Sequence, residues 1–218
     1  MDSRNISARR KLRAARARWL IIIAAIAAGL AGYYGPWVPH KAAGLIVTGL
    51  DLAEYVKFLP DVIAGKIVLS RELFYLPLFA ASINASLGAG RRALPSWSRV
   101  LLALAAIPLA AAMLPPAWSP PILVQLPEFR LQVVGIVLCL GLIPGALLTR
   151  TLPDRLILIL SGLLNLAAAL APVWGFLQVH PAIEALYRHA LPLGWGFWVS
   201  ATGFLVATVI AIAEAIRG

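Results

Sequence analysis

Residues 1–18 read MDSRNISARRKLRAARAR, and residues 19–38 read WLIIIAAIAAGLAGYYGPWV. Seven of the chain's 19 Lys and Arg crowd the first stretch, and the second carries no charge. A helix of ~20 apolar residues matches the ~30 Å hydrocarbon core of a bilayer. Basic residues directly before such a run face anionic lipid, each contributing ~1 kcal/mol near the surface. The segment also has the layout of a signal peptide, with a basic head, an apolar core and small residues near Gly29 to Gly32. The expectation is that it is retained as a first membrane span.

Working outward, five further runs have the same character. They cover about 71–88, 99–117, 130–149, 156–177 and 194–216. The composition agrees, because 61% of the 218 residues are hydrophobic and 13% charged. Soluble domains run near 45–50% apolar and ~25% charged. The reading is an all-α membrane protein, a bundle of six transmembrane helices forming a single transmembrane domain over 19–218 behind a basic tail over 1–18.

Charge placement orients the bundle. With the N-terminus inside, the inner segments hold the seven tail residues, Arg91, Arg92, Arg99, Arg150, Arg155 and Arg217. The outer ones hold Lys41, Lys57, Lys66, Arg71, Arg130 and Arg188. Lys and Arg favour the cytoplasmic side, so both ends are expected there, N-in and C-in, in a bacterial inner membrane. Indoles prefer the interface. Trp19 and Trp97 fall at the inner boundary, and Trp37, Trp118, Trp174, Trp195 and Trp198 near the outer one, with Tyr33, Tyr34 and Tyr75 thickening the outer belt.

Residues 109–118, LAAAMLPPAW, resemble 166–174, LAAALAPVW, and each stretch follows a Leu-Pro pair upstream. The first span also closes on Pro36-Trp37. Two accounts fit: three in–out–in hairpins from an internal repeat, as in some transporters, or independent use of Ala/Leu helices ending in interfacial Pro-Trp.

The outer loop, 39–70, is the longest and most charged. Thr48 and Asp51 have capping-box spacing. Leu52, Val56, Leu59 and Ile63 repeat at helical spacing, and Pro60 should end or bend that helix. An amphipathic helix is expected on the interface or folded over the bundle mouth. It would serve as a lid, a docking surface or a plain linker.

Few chemistries are encoded plainly. The lone Cys139 excludes an intrachain disulfide and reads as apolar filler. Walker, Gly-x-Gly-x-x-Gly and Gly-x-Ser-x-Gly patterns are absent. Ion-coupled pumping is disfavoured, because the span interiors carry only neutral polar groups. Of these, Ser82, Asn84 and Asn165 could line a small polar cavity, although such groups more often join helices by hydrogen bonds. The prolines Pro108 and Pro144 are candidate kinks, whereas Pro172 reads as ordinary termination.

The distinctive side chains gather outside. His40, Asp51, Glu54, His180 and His189 form a candidate outer-face site, without metal-ligand spacing, and no cofactor is indicated. The tail residues Arg9, Arg10, Lys11, Arg13, Arg16 and Arg18 form a candidate lipid-binding segment. The expected partners are the bilayer, with anionic lipid at the tail, and other membrane proteins. No nucleic acid is expected, since no aromatic residue interleaves with the tail to stack bases. Three functions remain: a non-catalytic subunit of a larger assembly, a transporter or capture component for an apolar or lipid-like molecule, or a lipid-modifying enzyme.

Overall fold

The computed structural model describes residues 3–40, 46–115, 119–146 and 148–217. The chain starts with helix α1 (Ser3–Tyr33) and a ribbon of β1 (Pro36–Val38) and β2 (Val47–Thr48). Two short helices follow, α2 (Gly49–Tyr55) and α3 (Pro60–Ile63), and then α4 (Leu76–Ala89) and α5 (Ser96–Ala111). Helix α6 (Pro120–Gln125) leads to α7 (Arg130–Gly145), α8 (Asp154–Tyr187) and α9 (Trp195–Arg217).

Among the described residues, four helices are long and apolar enough to cross a membrane, not six: Arg9–Tyr33, Pro127–Gly145, Asp154–Tyr187 and Trp195–Arg217. The expected spans 71–88 and 99–117 fail on length. Residues Arg71–Tyr75 form a 3-10 turn, and Pro77 at the first helical positions delays α4. At 1.5 Å per residue, the 14 residues of α4 reach about 21 Å and the 16 of α5 about 24 Å, short of a ~30 Å core. Nor is the chain wholly α, since β1 and β2 pair antiparallel. The four long helices and their exposed apolar stripes support a membrane-embedded, multi-pass protein. Val134, Val137, Leu163, Leu170, Val206 and Val209 all face outward. In water such faces would aggregate, whereas lipid solvates them.

Helix α9 packs antiparallel against the second half of α1. Arg18 meets Glu214 at 3.6 Å, so the start of α1 and the end of α9 share one end of the bundle, here the tail end. Between them the backbones touch. A Cβ added at Gly203 would fall 2.4 Å from the Gly29 nitrogen, and one at Gly32 would fall 2.2 Å from the Ser200 nitrogen. Small residues thus permit the contact, as in membrane helix pairs generally. The most extensive pairings are α1 with α9, α8 with α9 and α4 with α5. They do not follow three equivalent hairpins.

Helix α4 lies innermost. Every residue from Ala80 to Arg91 is buried, beneath α1, α5, α7 and α8. The expected cavity residues bind their neighbours here. Asn84 donates to the Ala80 carbonyl at 2.8 Å and to Asn165 at 3.3 Å, and accepts from Ser161. Ser82 donates to the Ala106 carbonyl at 2.9 Å. A small cleft of about 150 Å³ between α1, α4 and α5 touches Asn84 but is otherwise apolar.

Several local expectations are revised. Pro108 and Pro144, the candidate kinks, lie inside the closing turns of α5 and α7. Helix α8 instead continues through Pro172 and Pro181 to Tyr187. Trp19 and Trp37 are core residues, 1% and 0% exposed, rather than interfacial indoles. The ribbon turns Trp37 inward, where Phe176 and Phe197 meet it edge-on at 5.3 and 5.4 Å. Tyr33 and Tyr75 are buried too, while Trp97, Trp174, Trp195 and Trp198 are exposed. Trp118 lies outside the described residues.

The α1–α9 contact sets a stability expectation. Gly203→Val should destabilise the protein by about 1–3 kcal/mol through overpacking against backbone that cannot yield. Gly141→Ala, with nothing within 4 Å, should be neutral or slightly stabilising. Thermal unfolding in detergent distinguishes them, and equal melting temperatures would refute the close contact.

Candidate functional site

The end opposite the tail is covered by the ribbon, α2 and α3. Thr48 caps α2. Its hydroxyl accepts from the Asp51 amide at 3.2 Å, and Asp51 Oδ2 accepts from the Thr48 amide at 2.9 Å, a reciprocal box. This points Leu52, Ala53 and Val56 into the core and leaves Asp51 at the surface, with Glu54 partly buried. The helix is shorter than the sequence suggests, because residues Val56–Phe58 tighten to 3-10 geometry before Pro60 opens α3.

Glu54 is held by a residue outside the candidate set. Arg71, with 9% exposure, donates to Glu54 Oε1 at 3.1 Å, to Gln132 Oε1 at 3.1 Å and to the Glu128 carbonyl at 3.4 Å. Its guanidinium carbon lies 4.9 Å from the Phe129 ring centre. Lys57 and the Tyr75 hydroxyl also donate to Glu54, at 2.5 and 3.0 Å. Gln132 completes the net by donating to the Met113 carbonyl. One guanidinium thereby joins α2, the turn before α4 and the start of α7, a use of Arg's planar fork that Lys could not reproduce. A lone Arg before an apolar run reads simply as a loop charge, so no local signal marks it.

The candidate histidines divide. His40 and His189 come together with ring centres 6.2 Å apart, and Tyr187 lies 5.6 Å from His40 and 6.2 Å from His189. Arg188 adopts a left-handed conformation, φ 58°, that ends α8 and turns the chain. His189 Nδ1 then lies 2.9 Å from the Tyr187 carbonyl, which accepts when that nitrogen is protonated. These residues, with Asp51 and Tyr55, line a cleft of about 590 Å³. Burial, followed by the charge of neighbouring Tyr187 and a hydrogen bond to it, pushes the Tyr55 phenol up to about 12. Burial, and then Glu54, likewise holds Tyr75 well above its ordinary value.

His180 is elsewhere, on α8, 5.3 Å from the Phe176 ring and 3.9 Å from Glu184. Glu54 faces a second cleft of about 380 Å³, which shares Asp51 and Tyr55 with the first. Tyr75 in turn joins the second cleft to a third of about 230 Å³, walled by Phe79, Leu131, Val134 and Leu138. A row of clefts therefore grades from imidazoles and phenols to a mostly hydrocarbon wall, with Glu72, Tyr75 and Gln132 on its polar side. Among the described residues no group of three or more His, Cys, Asp or Glu could hold a metal. Cys139 is buried against the Phe79 carbonyl.

Comparison with known proteins finds no match among family models, curated proteins or solved structures. The class rests on the fold itself, a compact and mostly helical chain with the make-up of a multi-pass membrane protein.

Two expectations follow from this end. Arg71→Met should cost about 3 kcal/mol, near the lower end for breaking a buried pair, because Glu54 and Gln132 lose their partner. Lys57→Met, on a half-exposed pair, should stay within about 1 kcal/mol; denaturation in detergent would show an equal loss if Arg71 is not the hub. The second concerns alkali. The Tyr55 phenol ionises near 10 when unfolded and about 12 when folded. Above pH 10 the unfolded chain sheds this proton first, so stability falls as pH rises from 10 to 12. Melting curves of Tyr55→Phe should lack that share of the slope, and a slope unchanged from the parent would refute the assignment.

Proposed function

We propose that the protein is a non-catalytic component of a bacterial inner-membrane assembly, and that it captures an amphipathic, lipid-like molecule at the end opposite its tail. The observation that carries this reading is the graded row of clefts. An amphiphile needs a polar end with donors and acceptors beside an apolar wall, and that is the order from His40, His189, Tyr187 and Tyr55 to Phe79, Leu131, Val134 and Leu138. The apolar walls belong partly to α7, whose Leu131, Val134 and Leu138 are exposed, so a hydrocarbon chain could arrive sideways from the bilayer.

Two features favour capture over ion-coupled transport. Asn84, Ser161 and Asn165 satisfy one another directly between α4 and α8. The ionisable residues of α8 and α9 stand toward the helix ends: Asp154, Arg155, His180 and Glu184 on one, and Glu214 and Arg217 on the other. On α7 a Cβ at Gly141 would meet nothing within 4 Å, which leaves room for a close helix contact with a partner. The basic tail, with Arg91, Arg92 and Arg150 at the same end, favours a cytoplasmic location for both termini.

Native mass spectrometry of protein extracted from its host in mild detergent tests both parts. The expected result is a retained amphiphile together with a protein partner. The double variant His40→Ala/His189→Ala should weaken amphiphile retention about 2–10-fold for each hydrogen bond lost. A partner-free, monodisperse protein carrying no amphiphile would sink the proposal.

A further inference from the structure

At the tail end, far from the graded clefts, a separate cleft of about 470 Å³ opens between α1, the turn after α4 and the start of α8. Lys11, Trp19, Arg91, Arg92, Arg150 and Asp154 form its polar wall. Four cations thus face one carboxylate, and that carboxylate is already engaged. Arg91 lies 3.1 Å from Asp154 Oδ1, and Arg18 lies 3.4 Å from Asp154 Oδ2. Arg91 also donates to the Thr149 carbonyl. Lys11, Arg92 and Arg150 make no ion pair among the described residues.

Unanswered donors reinforce the imbalance. Arg91 is 4% exposed and Trp19 1% exposed. The Nε–H of Arg91, the indole N–H of Trp19 and the Nε–H of Arg150 are all buried without an acceptor. A buried donor left unmade is costly, and so are like charges held together. Both penalties fall when one anion with several oxygens enters. A phosphoryl group supplies charge and multiple acceptors, and guanidinium groups match it best.

We propose that this cleft binds a phosphoryl group. The site is built rather than diffuse. Of the basic tail only Lys11 lines it; Arg9, Arg10 and Arg13 lie outside the lining, and Arg16 and Arg18 are docked on Ala93 and Asp154. The cleft lies beside Leu12 and Ala15, where the basic run of α1 gives way to apolar sequence. A lipid headgroup at the membrane interface and free phosphate present the same chemistry there.

The test uses the full chain in neutral detergent, titrated separately with short-chain phosphatidic acid, short-chain phosphatidylcholine and inorganic phosphate. Binding is read by thermal shift and native mass spectrometry. Phosphatidic acid should bind more tightly than phosphatidylcholine. Arg92→Gln/Arg150→Gln removes no ion pair, and should weaken phosphatidic acid binding about tenfold or more. The double variant Arg92→Lys/Arg150→Lys should recover part of that loss, and Arg9→Gln/Arg13→Gln should change binding less than about threefold. Inorganic phosphate binding with the same variant sensitivity identifies a free-anion site, and lipid binding without it identifies a headgroup site. The proposal is overturned if neither phosphatidic acid nor inorganic phosphate binds, or if the tail variant loses as much as the cleft variant. Neither outcome bears on the amphiphile clefts at the other end.

Discussion

Residues 80–91 are buried without a break, inside a protein whose outer helices face lipid, and the first ten of them belong to a helix too short to cross by itself. In hydrocarbon, backbone that is not internally hydrogen-bonded is tolerated only where protein covers it. The ends of α4 therefore need protein around them, and α1, α5, α7 and α8 supply it. The sequence AASINASLGA suits this position, since small side chains let four helices approach at once. Gly90 shows how close the approach is. A Cβ there would lie 2.5 Å from both the Ala146 carbonyl oxygen and the Thr149 hydroxyl.

Each end of α4 opens into a charged cluster. Before it, Arg71 gathers Glu54, Gln132 and the Glu128 carbonyl. After it, Arg91 binds Asp154 and the Thr149 carbonyl. These guanidiniums tie the buried helix to α2 and α7 at one end and to α8 at the other. The two ends then diverge in chemistry. Around Arg71 the carboxylates and amides are satisfied, and the neighbouring clefts are amphipathic. Around Arg91 cations outnumber carboxylates and N–H donors lack acceptors. A single structural need, anchoring α4, leaves two unlike surfaces available for binding.

Hydropathy runs located the apolar stretches well, because lipid selects composition residue by residue. They misjudged the runs at 71–88 and 99–117, since a window average cannot tell lipid contact from protein burial. Trp19 and Trp37 failed for the same reason: an indole near a span end can sit in an interfacial belt or beneath a ribbon. The Thr48–Asp51 box was legible because capping is local chemistry. The Arg71 hub was not, because its partners lie 17 and 61 residues away. The meeting of His40 and His189 depended on α8 running through two prolines to Tyr187, and local rules favour a stop there.

The sequence by itself determined that much of this chain is solvated by lipid and that basic charge concentrates toward one end, since both are properties of composition along a line. Only the tertiary structure decided how many helices are long enough to cross, that α4 is enclosed, and which charges face which clefts. Those outcomes depend on backbone approach through Gly29, Gly32 and Gly203 and on side chains brought together from distant positions. No local window contains that information.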